Sequence, residues 1–194
     1  MSHFIYSTEA IILDEMPQGE DSRLYFLLTE DLGLVLAQAT GVRLLKSKLR
    51  FHLSLFDLAR VELVRGKNIW RITSARSEAE AGKFYRSQNV DVFARLSRLV
   101  RRMVHGEEEN KKLFGDLKKV RELFLKNNLS SGEKDSAEAL SAAKILHSLG
   151  YFDGAGKYET ILNGDVLKEN LSRITPVRND LVRSVNASIK ESHL

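Results

Sequence analysis

The feature that most constrains this chain is a change of hydrophobic period near residue 80. Before it, apolar residues recur at every second position. Leu24, Phe26 and Leu28 alternate with Arg23, Tyr25 and Leu27; Val35, Ala37 and Ala39 with Leu34, Leu36 and Gln38; Ala59, Val61 and Leu63 with Leu58, Arg60 and Glu62. Period two is the signal of a half-buried strand. Asp31-Leu32-Gly33 and Arg65-Gly66-Lys67-Asn68 read as turns, because glycine accepts the positive φ that tight turns need. With residues 4–13 as the first strand and 68–75 as the last, five short antiparallel strands are expected. Closing them into a small barrel removes exposed edges.

After residue 80 the spacing becomes helical. Val92, Leu96, Leu99 and Met103, widened by Phe93 and Val100, form one apolar stripe, and Leu113, Leu117, Val120 and Phe124 form another. Asp135, with Glu138 three residues on, is expected to cap a third helix whose apolar face holds Leu140, Ile145, Leu146 and Leu149. Gly150 fits the position after its end. Lys126 to Lys134 reads as a loop. Thr175-Pro176 reads as the cap and first residue of a last helix through Leu181, Val182, Val185 and Ile189. The expected class is α+β: a five-stranded barrel in residues 1–80, then an all-α domain in residues 81–194. No repeat or low-complexity tract interrupts either part.

The formal net charge is only +4, but it is unevenly spread. Residues 1–40 hold one basic residue against seven acids, a net of −6. Residues 41–76 hold nine against two, a net of +7, and residues 81–127 hold twelve against six, a net of +6. Two adjoining basic blocks in a nearly neutral chain point to a polyanionic partner. The bland reading is a solvated surface.

The densest cluster is Gly41-Val42-Arg43-Leu44-Leu45-Lys46-Ser47-Lys48-Leu49-Arg50, between the third and fourth strands. In a five-stranded barrel this connection borders the face that commonly binds nucleic acid. Its cations can replace condensed counterions on a phosphate backbone. Arg43, Lys46, Lys48 and Arg50, helped by Arg65, Lys67 and Arg71, are the expected DNA contacts. Position and density favour this over a merely solvated loop. Tyr25 and Trp70 are strand aromatics on which bases could stack. Trp70 shares a face with Ile72, and Phe26 shares one with Leu24 and Leu28, so core packing is favoured for Trp70 and Phe26. Phe51 and Phe56 flank the basic connection and fit either role. Arg95, Arg98 and Arg102 lie opposite the apolar stripe of the first helix, with Arg101 beside them. A solvated face and a phosphate- or carboxylate-binding face both fit.

Catalytic signals are nearly empty. There is no cysteine, which excludes disulfides, thiol catalysis and thiolate zinc sites. His3, His52, His105, His147 and His193 are scattered without metal-ligand spacing. Gly154-Ala155-Gly156-Lys157 lacks the first glycine and the terminal Ser or Thr of a phosphate loop. The paired acids Glu20-Asp21 and Glu30-Asp31 read as solvated turns and strand ends. No enzyme, cofactor or small-molecule substrate is expected. No apolar run is long enough to span a membrane, the first residues lack a secretory pattern, and a cytoplasmic location fits.

The order Ala10-Ile11-Ile12-Leu13, Gly19-Glu20-Asp21, Leu28-Thr29, Leu32-Gly33, Gly41-Val42-Arg43 and Lys46-Ser47 resembles the N-terminal domain of the RecO family of DNA repair and recombination mediators. Leu55-Phe56, Ile72-Thr73-Ser74-Ala75 and Leu146-His147-Ser148-Leu149-Gly150-Tyr151 extend the resemblance to residue 151. It implies an OB-fold barrel and a helical domain, binding of single- and double-stranded DNA, annealing of complementary strands, and work beside RecR and the single-strand-binding protein SSB to load RecA. On that reading Arg95, Arg98, Arg101 and Arg102 are expected to dock the acidic C-terminal tail of SSB, helped by Lys111, Lys112, Lys118 and Lys119 on the next helix. Many RecO proteins carry a four-cysteine zinc site after Leu-Gly-Tyr. Here that stretch is Phe152-Asp153-Gly154-Ala155-Gly156-Lys157, so packing by Tyr151, Phe152 and Ile161 is expected to hold it without metal. One alternative is an OB-fold RNA- or translation-associated module; another is a protein-interaction scaffold with incidental basic surface.

Overall fold

A computed structural model describes residues 4–77, 82–152 and 154–192. Contacts gather the chain into two compact units, Met1–Arg86 with His105–Lys111, and Ser87–Val104 with Lys112–Leu194. The division expected between residues 80 and 81 lies outside the described residues, as do His3 and His193.

The first unit is a closed barrel of five strands: β1 (Ile5–Gln18), β2 (Ser22–Thr29), β3 (Gly33–Ala39), β4 (Leu58–Arg65) and β5 (Trp70–Ser77), in the spatial order β1-β2-β3-β5-β4. β1 is longer than its apolar run predicts. It pairs with β4 through Ile5–Ile11 and with β2 through Ala10–Gln18, and a register shift between Ile12 and Asp14 bends it from one partner to the other. The barrel closes by a short parallel pairing, Ala37 opposite Trp70 and Gln38 opposite Arg71. Both expected turns are present: β3 opens at Gly33 with φ +69, and the Gly66 amide donates to the Ile69 carbonyl across the second.

The core contains Val35, Ala37 and Ala39 from β3, Ala59, Val61 and Leu63 from β4, and Trp70 and Ile72 from β5, as the alternation predicts. β2 corrects one expectation. Its inward residues are Tyr25 and Leu27, while Leu24 and Phe26 are half-buried on the other face. Both faces of this strand are apolar, so alternation alone does not choose between them.

The second unit is helical: α1 (Val90–Met103), α2 (Lys111–Lys126), α3 (Ser131–Ser148), α4 (Ala155–Asn163), the short α5 (Leu171–Ile174) and α6 (Arg178–Glu191). The predicted stripes of α1 and α2 are buried, with Leu99 half-covered. Three end signals are corrected. The cap of α3 is Ser130, whose hydroxyl accepts from the Glu133 amide while the Glu133 carboxylate accepts from the Ser130 amide. Asp135 therefore lies inside the helix, and residues 131–134 are helical rather than loop. Thr175 is not an N-cap: its φ and ψ are helical, it ends α5 with its hydroxyl donating to the Leu171 carbonyl, and the chain runs through a 3-10 turn at Thr175–Val177 into α6. Gly150 does follow α3 with φ +78.

Of the three anchors expected for the stretch 150–164, Phe152 holds and two are replaced. Phe152, Tyr158 and Leu162 are buried, whereas Tyr151 and Ile161 are only half-covered. The buried Lys144 ammonium of α3 donates to the carbonyls of Leu162 at 2.9 Å and Gly164 at 2.8 Å, and lies 3.4 Å from the Asp116 carboxylate.

Candidate nucleic-acid interface

The connection from β3 to β4 is tethered from beneath and charged above. Val42 and Leu53 are buried in the barrel core, and Leu49 and Leu55 pack against it. Gly41, at φ +64, turns the chain as it leaves β3. The Gly41 amide then meets the Ser22 hydroxyl at 3.3 Å, and the Arg43 amide donates to the Asp21 carbonyl at 2.9 Å. These contacts seat the connection against the β1–β2 turn. Arg43, Lys46, Lys48 and Arg50 are left exposed.

The connection and β2 enclose a pocket of about 450 Å³ lined by Arg23, Tyr25, Val42, Arg43, Arg50, Phe51 and Leu53. Three arginines thus line one open pocket together with Tyr25, Val42, Phe51 and Leu53. Phe51, at the end of the 3-10 turn Leu49–Phe51, is 53% exposed, and the Arg50 guanidinium lies 4.5 Å from its ring centre. Tyr25 is 1% exposed. Burial, then the charge of Glu15 and a hydrogen bond to it, hold its hydroxyl well above the usual tyrosine range, against the opposing pull of Arg23. Arg23 pairs with the Glu15 carboxylate, which fixes its position at the pocket wall.

The seven expected DNA contacts do not form one cluster. Arg43 and Arg50 meet in the pocket; Lys46 and Lys48 are exposed on the same connection. Lys67 and Arg71 are exposed on the β4–β5 turn and on β5. Arg65 is already engaged. It pairs with Glu107 and lies over the Trp70 ring at 5.0 Å, while Glu107 also accepts from the Trp70 indole at 2.9 Å. Trp70 is 3% exposed, a core residue as favoured, and Phe56 is buried too. Tyr25 packs in the core, so it offers a pocket floor and not an open stacking face. Arg23 was missed by sequence reasoning. It is the one cation in an acidic stretch, and only its period-two relation to Tyr25 and Leu27 signals that it points toward the barrel mouth.

The α1 arginines are likewise unequal. Arg95 makes a bidentate pair with Glu138, both bonds 2.6 Å, which raises its pKa. Arg101 is half-buried, and desolvation lowers its pKa. Arg98 and Arg102 are exposed. On α2, Lys119 pairs with Asp165 at 2.7 Å.

The zinc that the resemblance would imply does not fit this chain. It has no thiolate, and no group of three His, Asp or Glu among the described residues is placed to hold a metal. Among the same residues, no helix is long and apolar enough to cross a membrane.

Residues 1–79 match the family model described as recombination protein O N terminal. A DNA repair protein RecO from Roseiflexus is 32% identical over 176 residues, covering 89% of this chain and 59% of the relative. RecO from Dehalococcoides mccartyi is 44% identical over 72 residues, 37% of this chain and 28% of the relative. RecO from Gloeothece citriformis is 36% identical over 72 residues, 37% of this chain and 25% of the relative. The chain thus spans about three fifths of the first of these relatives, and the matched segment about a quarter of the other two. With a five-stranded OB-fold barrel, a helical unit that follows it in the chain and these matches, residues 1–79 belong to the RecO N-terminal family and the chain is similar to RecO proteins over most of its length.

Proposed function

We propose that this chain is a DNA-binding recombination and repair mediator, with its phosphate-contacting surface on the barrel. The observation that carries this reading is the β3–β4 connection. Val42 and Leu53 anchor it in the barrel core, and Arg43, Lys46, Lys48 and Arg50 face solvent, none paired with an acid among the described residues. Lys67 and Arg71 extend the surface, and Arg65 joins it when a phosphate displaces Glu107.

A mediator makes no bonds. Cations screen two repelling strands so that they meet, and base pairing supplies the free energy of annealing. Affinity then comes mostly from phosphates and carries little sequence preference, which suits both single- and double-stranded DNA. The similarity to RecO proteins supports a cytoplasmic role beside RecR and SSB in loading RecA. Arg98 and Arg102, flanked by Arg95 and Arg101, are the candidate face for the acidic SSB tail, since an arginine fork takes a carboxylate through two bonds.

Charge reversal tests the reading. Arg43→Glu with Lys46→Glu should weaken DNA binding similarly across sequences. Each lost contact should flatten the slope of log affinity against log salt by roughly 0.7 for single strands. Unchanged affinity and slope would remove the assignment, and RNA competing as well as DNA would favour the RNA-module alternative. In the same titrations, Arg98→Glu with Arg102→Glu should abolish binding of an SSB-tail peptide and leave DNA affinity largely intact. The opposite pattern would make α1 part of the DNA surface.

A further inference from the structure

The pocket beneath the basic connection contains more than phosphate binding needs. Phosphate contacts call for cations at a surface, as Lys46 and Lys48 supply. The pocket adds a half-exposed aromatic ring under a guanidinium, a floor of Val42 and Leu53, and walls of Arg23 and Arg43. Its volume of about 450 Å³ lies in the range of cavities that enclose a small organic group, roughly 300–1,000 Å³. No acid lines it, and Glu15, beside Tyr25, is paired with Arg23. The ligand it fits is therefore flat and apolar at one end and anionic at the other.

We propose that this pocket receives one splayed-out nucleotide of single-stranded DNA, its base stacked on the Phe51–Arg50 pair and its phosphate between Arg23 and Arg43. The inference rests on the DNA-binding reading above and adds a preference for strand state. Bases stack on aromatic rings and on arginine planes alike, without regard to sequence. A duplex can fill the pocket only by unstacking a base, which opposes its binding there. The Glu15 carboxylate holds Arg23 at the pocket wall, so Arg23 need not be ordered on binding.

The test uses the full chain with Phe51→Ala, Phe51→Tyr, and Arg43→Glu with Lys46→Glu. Three fluorescein-labelled probes of equal length are titrated by anisotropy: oligothymidylate, an oligomer of abasic deoxyribose phosphates, and a blunt duplex. Phe51→Ala should lose roughly 5- to 100-fold on oligothymidylate, the range for removing one stacking platform. It should lose nothing on the abasic strand or the duplex, keep its salt slope, and be rescued by Phe51→Tyr. Because Phe51 is half-exposed, its melting temperature should stay near the parent's. The charge-reversed variant should weaken on all three probes. If Phe51→Ala changes nothing, or weakens all probes equally, while charge reversal still weakens binding, the pocket assignment falls and the DNA-binding reading stands. If charge reversal has no effect, the underlying reading falls. Full displacement of the oligonucleotide by thymidine monophosphate at millimolar concentration would make this a free-nucleotide site and overturn the proposal.

Discussion

Tyr25 places its ring in the barrel core and its hydroxyl beside Glu15 and Arg23. Burial first, and Glu15 next, keep the proton on that hydroxyl in the folded state. An unfolded chain releases it above about pH 10. The folded pKa is thus raised, and the associated stability is complete below about pH 10 and declines as pH rises toward the folded value. Across that window each pH unit is worth up to about 1.4 kcal/mol. Tyr25→Phe should therefore lose less stability in alkali than the parent, measured by denaturant unfolding at pH values from neutral to above 10. Parallel declines would mean that Tyr25 ionises while folded. The face that Tyr25 occupies was not legible beforehand. Leu24, Phe26 and Leu28 make as good an inward set as Tyr25 and Leu27. Only the register of β2 against β1 and β3 turns one set inward, and that register carried Arg23 to the pocket wall.

At the scale of elements, the five strands and four of the six helices were legible, whereas α4, α5 and the helix ends were not. Ser130 with Glu133, and Asp135 with Glu138, both match the spacing of a capping box. The helix takes the earlier one, which adds a turn of backbone hydrogen bonds and leaves the fully buried Ser136 and Ala137 inside a formed helix. Ser130→Ala should cost about 1 kcal/mol, the usual value of a cap. Asp135→Ala should cost only a few tenths of a kcal/mol, since Asp135 makes an exposed pair with Arg178 at 3.3 Å. Urea unfolding of the two variants decides between them, and equal costs would argue against the Ser130 cap. A second element was invisible in the sequence. The segment His105–Lys111, between two helices, belongs by its contacts to the barrel unit. Glu107 bonds Arg65 and Trp70 there, and a Cβ on Gly33 would lie 2.2 Å from the Glu108 carbonyl oxygen. Gly33 is thus required twice, for its positive φ and for this close approach.

At the scale of the whole molecule, Lys144 shows how the helical unit holds the stretch after Leu149-Gly150-Tyr151 without thiolates. Its ammonium joins α3 to the end of α4 and to Asp116 of α2. Removing it leaves a buried carboxylate and two carbonyls without their cation, a change that costs about 3–5 kcal/mol. Lys144→Ala should lower the melting temperature markedly, whereas a chelator should leave the parent's melting curve unchanged. A drop on chelation would point to a metal instead. The sequence by itself determined the barrel, four of the six helices, the two hairpin turns and the outward cations of the β3–β4 connection. Period, turn chemistry and charge density act over a few residues, so they are readable locally. Only the tertiary structure decided which face of β2 is core, that Arg23 joins Arg43 and Arg50, that residues 105–111 return to the barrel, and that Lys144 caps the end of α4. Each of these joins residues far apart in the chain, and their meeting is set by barrel closure and helix packing, which no local pattern encodes.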